Sequence, residues 1–188
     1  MSTYSTTYDL SKQNYAEYPD NVYQMQAYFD CLIHHMPLTE SELSDVQNII
    51  RNAETIYKTN ATDIYFQLKA KYYAFIEKNK KEAINIITEG LSKYPQSFYL
   101  CKDLFDIYRR FEDTHGMETA FKKLSSIPND GNANFTVAVN CREAYLNAYK
   151  GVSPIAIGLK LKSSNYLTDN AYDSLMKKIH AIHNKADK

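Results

Sequence analysis

Residues 64–95 read IYFQLKAKYYAFIEKNKKEAINIITEGLSKYP, and this stretch decides the fold class. Phe66, Ala70 and Tyr73 are spaced to share one face of a helix, and Ala83, Ile87 and Gly90 to share one face of another. The polar run Lys78-Asn79-Lys80 parts the two. Pro95 stops the second, because its ring removes an amide that a helix needs. The pattern then returns after 34 residues at Leu100, Leu104, Ile107, Met117, Phe121 and Leu124, closed by Pro128 one residue early. A further step lands on Asn134, Ala138, Cys141, Gly151, Ile155 and Gly158. A fixed period of this size marks stacked supersecondary units, and its length suits a pair of antiparallel helices.

Working outward, Val22, Met25, Phe29, Leu32 and Ile33 predict a helix over about 20–36 that Pro37 ends. Thr39-Glu40-Ser41-Glu42 is a capping-box pattern, in which Thr39 and Glu42 satisfy each other's free amides. It opens a helix to about residue 58 with Leu43, Val46, Ile50, Ala53 and Tyr57 as its inward stripe. Further helices are expected over about 63–78, 80–94, 97–112, 117–126, 133–149, 153–163 and 168–184. His115-Gly116 reads as a turn, and Pro128-Asn129-Asp130-Gly131 as a loop. No segment alternates as a strand does, so the chain reads as all-α. Residues 1–19 are polar and lack a helical period, which predicts a flexible tail before a single helical domain over 20–188.

The seven residues Phe66, Ala70, Tyr73, Ala83, Ile87, Gly90 and Pro95 resemble the tetratricopeptide repeat. The match extends over roughly residues 64–163, with 20–60 as a degenerate hairpin and the last helix as a polar-backed cap. Leu104, Leu124 and Asn134 depart from the family pattern. The resemblance implies antiparallel hairpins stacked as a short α-solenoid whose first helices line a concave groove. That groove would present Lys71, Phe105, Tyr108, Arg109, Phe135 and Arg142 to a protein or peptide partner, with Cys101 nearby. Such a mixture of rings and cations suits an acidic or aromatic-bearing segment. One subset of the family clamps a C-terminal carboxylate with lysines and asparagines. The matching places here hold Gln67, Lys71 and Lys102 without the asparagines, so that partner is not expected.

Composition narrows the classes of function. Lys+Arg and Asp+Glu are 22 each, so no global field draws the chain to nucleic acid or an anionic membrane. Three cysteines without a CxxC pair favour neither a disulfide framework nor a structural zinc site. A signal-peptide pattern and a membrane-length apolar run are both missing from the sequence, which predicts a cytoplasmic protein. His34-His35 and His180-x-x-His183 have no Cys or carboxylate at ligand spacing; Asp187 lies beyond the last helix. Arg110 and His115 carry the spacing of an all-α ribonuclease pair, a short pattern that arises readily by chance. The expectation is therefore a non-enzymatic adaptor or chaperone without cofactor or metal. The alternatives are a ribonuclease using Arg110 and His115, or a regulatory or sensory module acting on an effector protein.

Overall fold

The computed structural model describes residues 3–129 and 131–186. Among them every regular element is helical. In chain order these are α1 (Thr3–Glu17), α2 (Val22–His34), α3 (Glu40–Tyr57), α4 (Asp63–Lys71), α5 (Lys80–Lys93) and α6 (Phe98–Arg110). There follow α7 (Thr114–Ser125), α8 (Ala133–Tyr149), α9 (Pro154–Ser164) and α10 (Asp169–Ala186). A π-helical turn, Tyr72–Ile76, continues α4.

The 34-residue period reappears in backbone geometry. Lys78 and Glu112 both take a left-handed φ, 53° and 54°. The next residue in each case, Asn79 or Asp113, caps a helix by accepting from the amide three residues on, Glu82 and Gly116 respectively. All twelve side chains or glycines of the first two echoes, from Phe66 to Leu124, are buried or half-buried. Gly90 permits one close approach: a Cβ there would lie 2.7 Å from the Phe66 Cβ. The third step loses register. A strict step from Asp113 lands on Asn147, still inside α8, whereas the cap of α9 is Ser153. Ile155 is consequently 76% exposed, and Ile157 and Leu161 take the inward places.

Three expectations need correction. Residues 3–17 form a helix rather than a tail. Its inward face is Tyr8, Ser11 and Tyr15, at i, i+3 and i+7, so hydroxyl-bearing residues hide the helical period. The Tyr8 hydroxyl donates to Glu42 Oε1 at 2.9 Å, and the Tyr15 ring stacks on Tyr28 at 5.6 Å. Residues 1, 2, 130 and 187, parts of the tail, loop and end readings, lie outside the described residues.

Secondly, Gly116 is not a turn residue but lies within α7, where the Tyr108 ring occupies the space of its missing Cβ. Asp113 begins that helix earlier than the glycine suggested, because a cap outweighs one residue of low propensity.

Thirdly, the inward face of α3 runs through Val46, Ile49 and Ala53, whereas Leu43, expected there, is 40% exposed. The chain divides into two compact units, with the boundary between Asp103 and Leu104 inside α6. Each has its own core. Met25, Phe29, Leu32, Val46, Leu68 and Ile87 are buried in the first. Ala144, Ala148, Ile157, Leu161, Leu175 and Ile179 cluster in the second.

The Thr39–Glu42 capping box is present as read. Glu42 closes it with a carboxylate that accepts from the Thr39 amide at 2.8 Å. That bond from the Thr39 amide is the main reason its pKa falls below the usual carboxylate value.

Candidate partner-binding groove

Within the first unit, α2, α4 and the first half of α6 enclose a groove of about 450 Å³. Tyr23 and Tyr99 stand on it with 66% and 57% of their surface exposed. Gln26 and Gln67 meet between α2 and α4, the Gln26 amide donating to Gln67 Oε1 at 2.9 Å. Gln67 is 1% exposed although it lines the groove. Asp30, Asp63 and Lys102 supply the charged lining.

Lys71 joins these helices through its ammonium. Its ammonium lies 2.9 Å from Asp30 Oδ1 and 3.3 Å from Asp103 Oδ2, and the residue is only 7% exposed. Asp103, 2% exposed, also lies 3.5 Å from the Lys102 ammonium. Burial alone would lower the Lys71 pKa, but the Asp103 and Asp30 carboxylates together push it above the ordinary lysine value. Such a cation is fixed as charged and directed at its own acids. The places Gln67, Lys71 and Lys102 do converge, yet two aspartates neutralise the two lysines. A partner carboxylate would compete with Asp103 and Asp30 for them.

The other expected binding residues lie in the second unit. Phe105 is fully buried and meets the Phe121 ring edge-on at 6.4 Å. It is a packing residue, not a groove anchor, because the helix face that carries it also carries the core. Tyr108 is half-buried, and its ring fills the space beside Gly116. Arg109 Nε lies 3.6 Å from Asp106 Oδ1, with the guanidinium 4.6 Å from the Tyr145 ring centroid. Arg142 donates to the Ala138 carbonyl at 3.1 Å and pairs with the other Asp106 oxygen. Phe135 is half-buried in the first turn of α8. Arg109 and Arg142 thus converge on one aspartate of their own unit, which limits what they can offer an acidic partner.

Burial raises the Tyr145 phenol and the Cys141 thiol above their usual pKa values, so both stay neutral at physiological pH. Cys101 is fully buried. Arg110 ends α6 and His115 sits in the first turn of α7, both exposed and separated by the bend at Glu112. Among the described residues there is no group of three or more side chains fit to hold a metal, and no helix long and apolar enough to cross a membrane.

Sequence reasoning missed Tyr23, Gln26, Asp30, Asp63 and Tyr99. An available signal was the helical register around Gln67 and Lys71: the residues flanking the packing positions of α2 and α6 face the same way. No protein-family model, curated protein or solved structure matches the chain.

Proposed function

We propose that this chain is a protein-interaction adaptor of tetratricopeptide-like hairpins, binding an extended segment of a partner in the groove of its first unit. The observation that carries the reading is that two exposed rings, Tyr23 and Tyr99, line one groove together with the paired amides Gln26 and Gln67. Exposed tyrosines offer large, nearly rigid contact area at low entropic cost, which suits a recognition surface. Gln26, half-buried, can exchange its bond to Gln67 for one to a peptide backbone, whose donors and acceptors alternate along an extended strand. The ion pairs among Asp30, Lys71, Lys102 and Asp103 tie three helices together, so the surface is formed before a partner arrives.

The test uses peptides selected from a random display library against the full chain. Tyr99→Ala should weaken the selected peptides by about 2 kcal/mol while leaving the melting temperature unchanged, as expected of an exposed anchor. Peptides that bind Tyr23→Ala, Tyr99→Ala and the parent equally would sink the reading.

A further inference from the structure

A second recess opens from the same groove, sharing Tyr23, Asp63 and Ile64 with it and holding about 420 Å³. Three tyrosines line it, Tyr23, Tyr57 and Tyr94, and Asp63 is the one carboxylate among its described lining residues. The phenols of two are already committed. Tyr57 donates to the Asp20 carbonyl at 2.6 Å and accepts from the Val22 amide at 3.2 Å. Tyr94 donates to the Ala61 carbonyl at 2.8 Å. These bonds fix the rings and leave mainly their carbon surfaces to a ligand.

The other polar side chains of the recess are occupied too. Asn21 caps α2 and Thr62 caps α4, each through its side-chain oxygen. Asp63, the first residue of α4, accepts from the Ser97 hydroxyl at 3.0 Å and retains further lone pairs. A single carboxylate among ring faces repels anions on both counts, since aromatic faces also carry negative potential. It suits a cation that can lie on a ring and bond to an acid at once.

We infer that the Asp63 recess binds an arginine side chain of the partner. The planar guanidinium stacks on tyrosine and reaches a carboxylate with parallel donors, which a compact ammonium does less well. This assignment rests on the reading of the first unit as a peptide scaffold, and it gives the partner a basic residue beside its groove-bound segment. Lys71 and Lys102 do not oppose it, since Asp30 and Asp103 neutralise them.

The test is an NMR titration of the isotope-labelled full chain with Nα-acetylarginine amide and with its neutral isostere, Nα-acetylcitrulline amide. The arginine compound should shift the amides of Tyr23, Ile64 and Tyr94 saturably and bind about tenfold more tightly than citrulline. Asp63→Asn keeps the Ser97 bond and should abolish that preference. Tyr23→Ala, at an exposed position, should weaken the arginine compound without disturbing the fold. Equal binding of citrulline, a preference that survives Asp63→Asn, or the lack of saturable shifts at these amides would overturn the assignment. Selected peptides that shift Gln67 and Tyr99 but show no basic enrichment would overturn it while sparing the adaptor reading. Saturable arginine binding by a chain that selects no peptides would support the recess and sink the adaptor.

Discussion

Lys71 in the first unit and Arg142 in the second are both cations drawn inward to aspartates from other helices, yet they leave different surfaces. Lys71 is tied by Asp30 and Asp103 beside a groove of about 450 Å³ on which Tyr23 and Tyr99 stay exposed. Arg142 and Arg109 share Asp106, and Tyr145 lies against Arg109, so rings and charges there serve one another. A cleft between α8 and α9 of that unit holds only about 40 Å³. The difference lies in exposure: Tyr23 and Tyr99 stay open to solvent in the first unit, whereas Tyr145 is half-buried against Arg109 in the second.

The sharpest way to break this comparison is to remove each cation. Lys71→Met leaves Asp103 buried without its main counterion and should cost about 3–5 kcal/mol in urea unfolding. Arg142→Met should cost less, about 1–3 kcal/mol, because Asp106 is more exposed and keeps Arg109. Equal costs would mean that the two cations hold their units in the same way.

Packing gives the next contrast. Gly90→Ala drives a Cβ into the Phe66 Cβ, which backbone position fixes, and should cost about 1–3 kcal/mol in thermal melts. Gly116→Ala meets the Tyr108 ring, which can rotate away, so the gain in helix propensity, about 1 kcal/mol, offsets part of the cost. A larger loss at Gly116 would show that the Tyr108 ring is locked.

Alkali should weaken both units through tyrosine. Burial is the first cause that raises the Tyr28 phenol, followed by Asp45 and Tyr8, and burial likewise raises Tyr145. A raised folded pKa means that the contribution is complete below the unfolded value, about 10, and is lost as pH climbs past it. Absorbance titration at phenolate wavelengths should show some rings ionising only as the chain unfolds. Tyr28→Phe should flatten that loss in the first unit and Tyr145→Phe in the second. Full, rapid ionisation of every ring before unfolding would contradict this.

The smallest effect concerns a cap. The Glu42 pKa is depressed, chiefly by the Thr39 amide, so its stabilisation is present above the ordinary carboxylate range and fades as pH falls through the folded value. Glu42→Gln should lower the melting temperature slightly at neutral pH and make no difference in strong acid. A gap that persists in acid would place the effect in packing rather than charge.

The helices were legible because their signals are short-range. A cap acts over three residues and a helical face repeats within four, so Thr39 with Glu42, and Phe66 with Ala70, carry their meaning locally. The helix at 3–17 escaped notice because tyrosine and serine supply its inward face, and hydroxyls mask the apolar period. Gly116 misled for a related reason: a glycine marks a turn or a close approach equally well, and only the Tyr108 ring tells which.

What the sequence determined by itself was the all-helical class, most boundaries, the capping box and the inward faces of α2 and of α4 to α7. Tertiary structure alone decided which charges meet. Asp30, Lys71 and Asp103 come together from three helices, and nothing in the spacing of those residues announces the encounter. The same holds for Tyr23, Tyr57, Tyr94 and Asp63, which share a recess although they come from separate parts of the chain. Local order follows from backbone hydrogen bonds between near neighbours, which the sequence states directly. A site depends on how helices are placed against one another, which is set by the packing of whole faces and is not written at any one position.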